Sequence, residues 1–191
     1  MSKKVAAKWV RALSLVIVFT LFLSSKATAQ MTGRALSFQD LASQLHSPEE
    51  IAHFMWKHFV FEKDQRLFGE EEYWQSPEEF FENRKGDCED FALFAQAILK
   101  TKGVTSFLMN IYGSQFAHTV LVFKEDGKYN VVDGTKVKRY EAEGLRELAD
   151  KIHPKWDKSA IVKPAKESKH GQILAQFAKE AKIKRSMRSS A

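Results

Sequence analysis

Hydrophobic positions recur along this chain with two different periods, and the change from one to the other marks out the elements. Ser47-Pro48-Glu49-Glu50 and Ser76-Pro77-Glu78-Glu79 each put Ser at a helix N-cap, Pro at the first helical position and Glu at the third, where a carboxylate faces the positive helix end. After the first of these, Ile51, Phe54, Met55 and Phe59 recur at helical spacing and predict a core-facing stripe, with His53 and His58 off it. Residues 62–75 are polar and acidic and predict a surface loop closed by Tyr73 and Trp74. A third helix is predicted after Gly86-Asp87, with Phe91, Phe94, Ala95, Ile98 and Leu99 on its apolar face and Gly103 as its stop.

Beyond Gly103 the period drops to two. Residues 104–112 and 117–124 read as strands joined at Gly113-Ser114, and Asp126-Gly127 turns the chain into a third strand over 129–133, the pattern of an antiparallel meander. A short helix is predicted over 141–151, followed by a stretch punctuated by Lys, Pro154 and Pro164. Residues 171–184 carry Ile173, Leu174, Phe177, Ala178 and Ala181 on one side and predict a basic amphipathic helix. It either packs back on the acidic part of the chain or docks on an anionic membrane surface or a partner. Residues 185–191 read as a disordered tail.

The first residues differ in kind. Lys3, Lys4, Lys8 and Arg11 precede an uncharged apolar run over 12–23, and Ala27-Thr28-Ala29 offers a small-residue cleavage site. This is the layout of a signal peptide over residues 1–29, cleaved after Ala29, and it predicts a periplasmic or secreted mature chain beginning at Gln30. The apolar run falls short of the roughly twenty residues a membrane span needs. Without those residues the chain's net +6 shrinks to about +1, divided between an acidic stretch, residues 30–150 at −7, and a basic one, residues 151–191 at +8. Such opposed halves do not make a nucleic-acid binder, and no zinc-finger spacing, phosphate-binding glycine loop or His-Glu-x-x-His helix occurs.

One cysteine remains, Cys88, in the first turn of the third predicted helix. No disulfide within the chain is possible, so in an oxidising compartment the thiol is either buried or reactive. Thiol nucleophiles act as thiolates, which the free amides of a helix start and a nearby imidazolium stabilise, whereas Asp87, Glu89 and Asp90 oppose the charge. A catalytic role therefore requires a histidine. His118 interrupts the apolar strand Val120-Leu121-Val122. With the hairpin turn centred between Asp126 and Gly127, paired residue numbers sum to 253. Asp133 then falls opposite Val120 and diagonal to His118, roughly 7–8 Å away between backbones. A carboxylate there can hold the imidazole in the tautomer that faces a thiol.

Trp74-Gln75-Ser76-Pro77-Glu78-Glu79, Arg84-Lys85-Gly86-Asp87-Cys88-Glu89-Asp90-Phe91-Ala92, Ala117-His118-Thr119-Val120 and Val131-Val132-Asp133-Gly134 together resemble the transglutaminase-like superfamily. The Asp-Cys-Glu-Asp core is similar to that of bacterial transglutaminase-like cysteine proteinases. The resemblance implies a papain-like α+β fold, with the Cys helix packed on an antiparallel sheet that carries His and Asp. The expected organisation is a domain over residues 30–150 followed by a basic linker and C-terminal amphipathic helix over 151–191, and the resemblance itself covers about residues 45–140. It further implies Cys88 as nucleophile, His118 as general base and then acid, and Asp133 as orienting carboxylate. The expected activity is cleavage of an amide bond in a peptide or protein through an acyl-enzyme, with acyl transfer to an amine and a non-catalytic binding module as alternatives. No cofactor is required for that chemistry. The resemblance also makes Asp87, Glu89 and Asp90 candidate calcium ligands, although three acids at a helix start are equally ordinary N-terminal charges, the reading preferred here.

Overall fold

In the computed structural model of the chain, residues 36–164 and 171–179 are described; the signal-peptide reading of 1–29 lies outside them. Helices α1 (Phe38–Gln44) and α2 (Pro48–His58) come first, then a two-residue strand β1 (Val60–Phe61) and a single helical turn α3 (Asp64–Leu67). Helix α4 (Pro77–Asn83) follows, with strand β2 (Lys85–Gly86) pairing in parallel with β1, and then α5 (Cys88–Thr101). Both Ser-Pro-Glu-Glu starts cap as expected: Ser47 and Ser76 accept from the amides of Glu50 and Glu79.

The remaining strands are β3 (Ser106–Gly113), β4 (Phe116–Glu125), β5 (Lys128–Asp133) and β6 (Lys136–Ala142). After α6 (Leu145–Ile152) come β7 (Lys158–Lys163) and β8 (Gln172–Ala178). They form one antiparallel sheet in the order β6-β5-β4-β3-β7-β8. Asp126 and Gly127 both have positive φ, 48° and 81°, the primed two-residue turn that matches strand twist. The β4–β5 ladder, from Leu121↔Val132 to Glu125↔Lys128, keeps paired numbers at the expected sum.

Strand alternation divides the apolar residues between the two faces of the sheet. Leu108, Leu121, Phe123, Val132 and Val162 meet α1, α2, α4 and α5 on one side, while Met109, Ile111, Val120, Val122 and Val131 meet α6 and Trp156 on the other. The first core is aromatic. Phe59, Phe80, Phe91 and Phe94 stand with ring centroids 4.5–6.2 Å apart and fix the helix that starts at Cys88.

Three expectations are corrected. Residues 172–178 of the expected C-terminal helix are strand β8, paired with β7, and the rest of the 171–184 segment lies largely outside the described residues. Over seven residues, Ile173, Ala175 and Phe177 satisfy a period of two as readily as a helical one, and an open sheet edge decides between them. The apolar helix face on which the membrane reading rested is therefore absent over this strand. Within the expected linker and helix of 151–191, residues 158–163 form β7, inside the sheet between β3 and β8. The short helix begins at Leu145, since residues up to Ala142 extend β6.

Candidate active site

Helix α5 opens at Cys88 because Gly86 allows it. A Cβ on Gly86 would lie 2.1 Å from Oδ2 of Asp90 and 2.7 Å from Nε2 of Gln75, so only glycine lets the strand pass this close to the first helical turn. Asp90 takes up the space. Its carboxylate accepts from the amide of Gln75 at 2.9 Å, from Nε2 of Gln75 at 2.8 Å and from the amide of Asp87 at 3.1 Å. Gln75, fully buried, also donates to the carbonyl of Lys85 and accepts from Asn83. This clamp ties the segment before α4 to the start of α5 and sets Trp74 in the wall of the same cleft as the thiol. Trp56 is exposed and does not line that cleft, which leaves Trp74 as the cleft tryptophan.

The cleft holds about 440 Å³ and brings together Cys88, His118, Trp74, Tyr112, Phe61 and Glu72. On its sheet side a fixed polar chain runs from Thr119 Oγ1 to Asn110 Oδ1, 2.9 Å, and from Asn110 Nδ2 to the Tyr112 hydroxyl, 2.9 Å. His118 lies on β4 just before the ladder with β5 begins, and Asp133 ends β5. Nε2 of His118 donates to Oδ1 of Asp133 at 2.7 Å, and the ring lines the same cleft as the Cys88 thiol with its Nδ1 left for a second partner. Burial pushes the imidazole toward neutrality, but the bonds to Asp133 and Cys88 outweigh it and raise its pKa to about 10. Burial likewise pushes Asp133 up, and the bonds from His118 and Lys138 overcome this and hold it at about 2. The ammonium of Lys138 lies 2.6 Å from Oδ2, the oxygen that His118 does not use.

On the other side of the thiol the charges are unbalanced. Sγ of Cys88 donates to Oε2 of Glu89 at 3.2 Å. Glu89 and Asp64 are almost fully buried, and Oε1 of Glu89, Oδ1 of Asp64 and Oδ1 of Asp87 have no hydrogen-bond partner. Burial is the main reason that the Glu89 carboxyl is driven far above the ordinary range, that Asp64 reaches about 6 despite the amide of Tyr73, and that Asp90 reaches about 7 despite its three donors. Asp64, Glu72 and Glu89 bring one oxygen each within 4.8 Å of one another, as do Asp64, Asp87 and Asp90. Of the three calcium candidates from sequence, Asp87 and Glu89 have an orphaned oxygen here, while Asp90 is spent on the Gln75 clamp. The group of Asp64, Glu72 and Glu89, with an orphaned hard oxygen on Asp64 and on Glu89, fits a calcium-class cation, which needs carboxylate ligands and tolerates irregular geometry. Sequence reasoning missed Asp64, which stood in an apparent surface loop, because nothing in Lys63-Asp64-Gln65 signals that the next turn buries it. It also missed Lys138, one of several cations on an exposed strand.

Among solved structures, calcium-bound LapG from Legionella pneumophila is 23 % identical over 64 % of this chain and 71 % of that one, with a TM-score of 0.47. The EGTA-treated form of the same protein is 22 % identical over 69 % and 76 %, with the same score. A candidate cysteine protease from Cytophaga hutchinsonii is 15 % identical over 53 % of this chain and 37 % of that one, with a TM-score of 0.42. No curated protein matches the chain. A family profile described as "Transglutaminase-like domain" matches residues 30–146, the span that contains Cys88, His118 and Asp133, and the chain belongs to that family.

Proposed function

We propose that the mature chain is an exported cysteine hydrolase that cleaves an amide bond in a peptide or protein through an acyl-enzyme on Cys88. The observation that carries this reading is the 2.7 Å contact from Asp133 Oδ1 to His118 Nε2, with the His118 ring and the Cys88 thiol lining one cleft. In the reaction, Sγ attacks the carbonyl carbon as the thiolate, with its proton held on the His118 ring. The oxyanion takes the backbone amide of Cys88 at the helix start and the indole N–H of Trp74, which is buried in the cleft wall without an acceptor. His118 passes the proton to the leaving nitrogen as the C–N bond breaks. It then takes one from the water that attacks the thioester, and the thiolate leaves. Water is the abundant acceptor in a dilute compartment, so hydrolysis is favoured over transfer to an amine.

Asp64, Glu72 and Glu89 would hold a calcium-class cation, which would supply positive charge close to Cys88, where neighbouring acids oppose a thiolate. Export is supported by the signal-peptide layout of residues 1–29 and by the start of the family match at residue 30, the residue after the expected cleavage site. N-terminal sequencing of material recovered outside the cytoplasm finds Gln30 if this is right and Met1 if it is not.

The purified mature chain, incubated with a broad peptide library with and without calcium and with Cys88→Ala as control, tests the activity. Cleavage supports hydrolysis, crosslinking replaces it with transfer, and neither outcome replaces both with a binding module. Independently of substrate, iodoacetamide alkylates Cys88 at pH 6 well above the rate of a free thiol, an advantage that His118→Ala removes. Equal rates with and without His118 mean that the Cys-His pair does not form.

A further inference from the structure

The two oxygens of Asp133 have different owners on adjacent strands. Oδ1 accepts from Nε2 of His118 at 2.7 Å, and Oδ2 accepts from Nζ of Lys138 at 2.6 Å. Lys138 reaches it from β6, where Asp133 pairs with Lys136 and Val131 with Lys138, so Lys138 lies diagonally across the ladder. Tyr140 stands two residues on along the same strand and on the same face as Lys138, and its side chain adds to the effect of Asp133 in raising the Lys138 pKa. Asp133 ends its strand and is followed by Gly134 in the left-handed region, φ +53°, so its own backbone gives its side chain little restraint. An unanchored carboxylate there can rotate and present either oxygen, or neither, to the imidazole.

We infer that Lys138 is a positioning residue of the site: by occupying Oδ2 it fixes Oδ1 on His118, and by sharing the carboxylate's charge it keeps the imidazole able to give up its proton. The inference rests on the proposed Cys88–His118 chemistry. That chemistry asks the ring to be a cation while the amine leaves and neutral when water attacks the thioester. A full carboxylate charge on Nε2 favours the cation alone, and Lys138 offsets it. The titratable and charged groups facing His118 are Asp133 from β5, Lys138 and Tyr140 from β6 through Asp133, Cys88 from α5, and His153, which lines the cavity behind the ring.

The test uses the full mature chain with Lys138→Met, which keeps most of the stem and drops the charge, and Lys138→Arg, which keeps the charge. The Lys138 side chain is partly exposed, and both variants are checked for a cooperative thermal transition. The readout is the pH at which the His118 ring signals titrate in NMR, assigned by their loss in His118→Ala. Lys138→Met moves that midpoint upward by about half a unit or more, and Lys138→Arg returns it to the parent value. An unmoved midpoint in Lys138→Met, or the same shift in both variants, overturns the inference. Failure of the underlying reading shows differently: the parent protein's Cys88 then reacts with iodoacetamide at pH 6 no faster than it does in His118→Ala, whatever Lys138 does.

Discussion

Two acidic regions flank the one thiol of this protein, and they are built on opposite principles. Asp133 is a carboxylate between two cations, His118 and Lys138, with each oxygen occupied and its pKa held near 2. Asp87 and Glu89 bring an oxygen each within 4.8 Å of the Cys88 sulfur, these two and Asp64 have an orphaned oxygen apiece, and burial holds Glu89 and Asp64 well above the usual carboxylate range. Residue type is the same in both regions. What differs is whether the chain supplies its own counter-charge: where it does, the carboxylate orients a ring, and where it does not, the cluster waits for protons or a cation.

The sharpest way to break the comparison is to exchange the consequences of losing a carboxylate from each side. Asp133→Ala lowers kcat on any peptide the parent cleaves by about 10²–10⁴-fold, because the imidazole loses its orienting partner, and it lowers the thermal midpoint as well, because the bonds to His118 and Lys138 are lost. Next in size is the cation. Calcium at a hundred- to thousandfold excess over its Kd stabilises the parent by about 3–4 kcal/mol in calorimetry and leaves Asp64→Asn unmoved. A parent protein that melts identically in calcium and in EGTA removes the cluster from the function.

Smaller effects fall on the structural acid, Asp90. Gly86→Ala drives a methyl into the Asp90 carboxylate and Gln75, and costs about 1–3 kcal/mol in denaturant unfolding. The smallest effect is a slope with pH. Asp64 and Asp90 have native values raised to about 6 and 7 from 3.8, so above pH 4 the native state keeps protons that the unfolded chain has released, and stability falls as pH rises through those values. His118, raised to about 10, acts in the same sense: its contribution is complete below about 6.5 and is lost as pH rises through 10. Asp133 acts oppositely, contributing above about 4 and losing that contribution as pH falls through 2. The calcium-free protein therefore has a higher urea midpoint at pH 5 than at pH 8, and saturating calcium narrows the gap. Equal midpoints without calcium would show that the buried acids are not strained.

Much of this was legible in the sequence because it depends on short-range rules. The capped helix starts, the Asp126-Gly127 turn and the register it imposes follow from residues a few positions apart, and together they bring Asp133 to His118. What escaped depends on burial and on distant pairing. Asp64 looks like any loop acid until Tyr73 folds over it, and Lys138 looks like any strand lysine until a diagonal contact gives it a partner. The last strand escaped for a different reason. Gln-Ile-Leu-Ala-Gln-Phe-Ala fits two periods, and only the open side of β7, itself hidden in a Lys-rich stretch, selects one.

That last strand decides how the protein can be shortened or tagged. A helix resting on the surface could be cut away, but β8 covers the hydrogen-bonding row of β7, seats Phe177 against Trp156 and brings Gly171 up to Trp74 in the cleft wall. Cutting the chain before Gly171 lays open a new sheet edge and removes a neighbour of Trp74 in the cleft wall. Such a truncated chain will self-associate during purification, and fusion partners belong beyond residue 179.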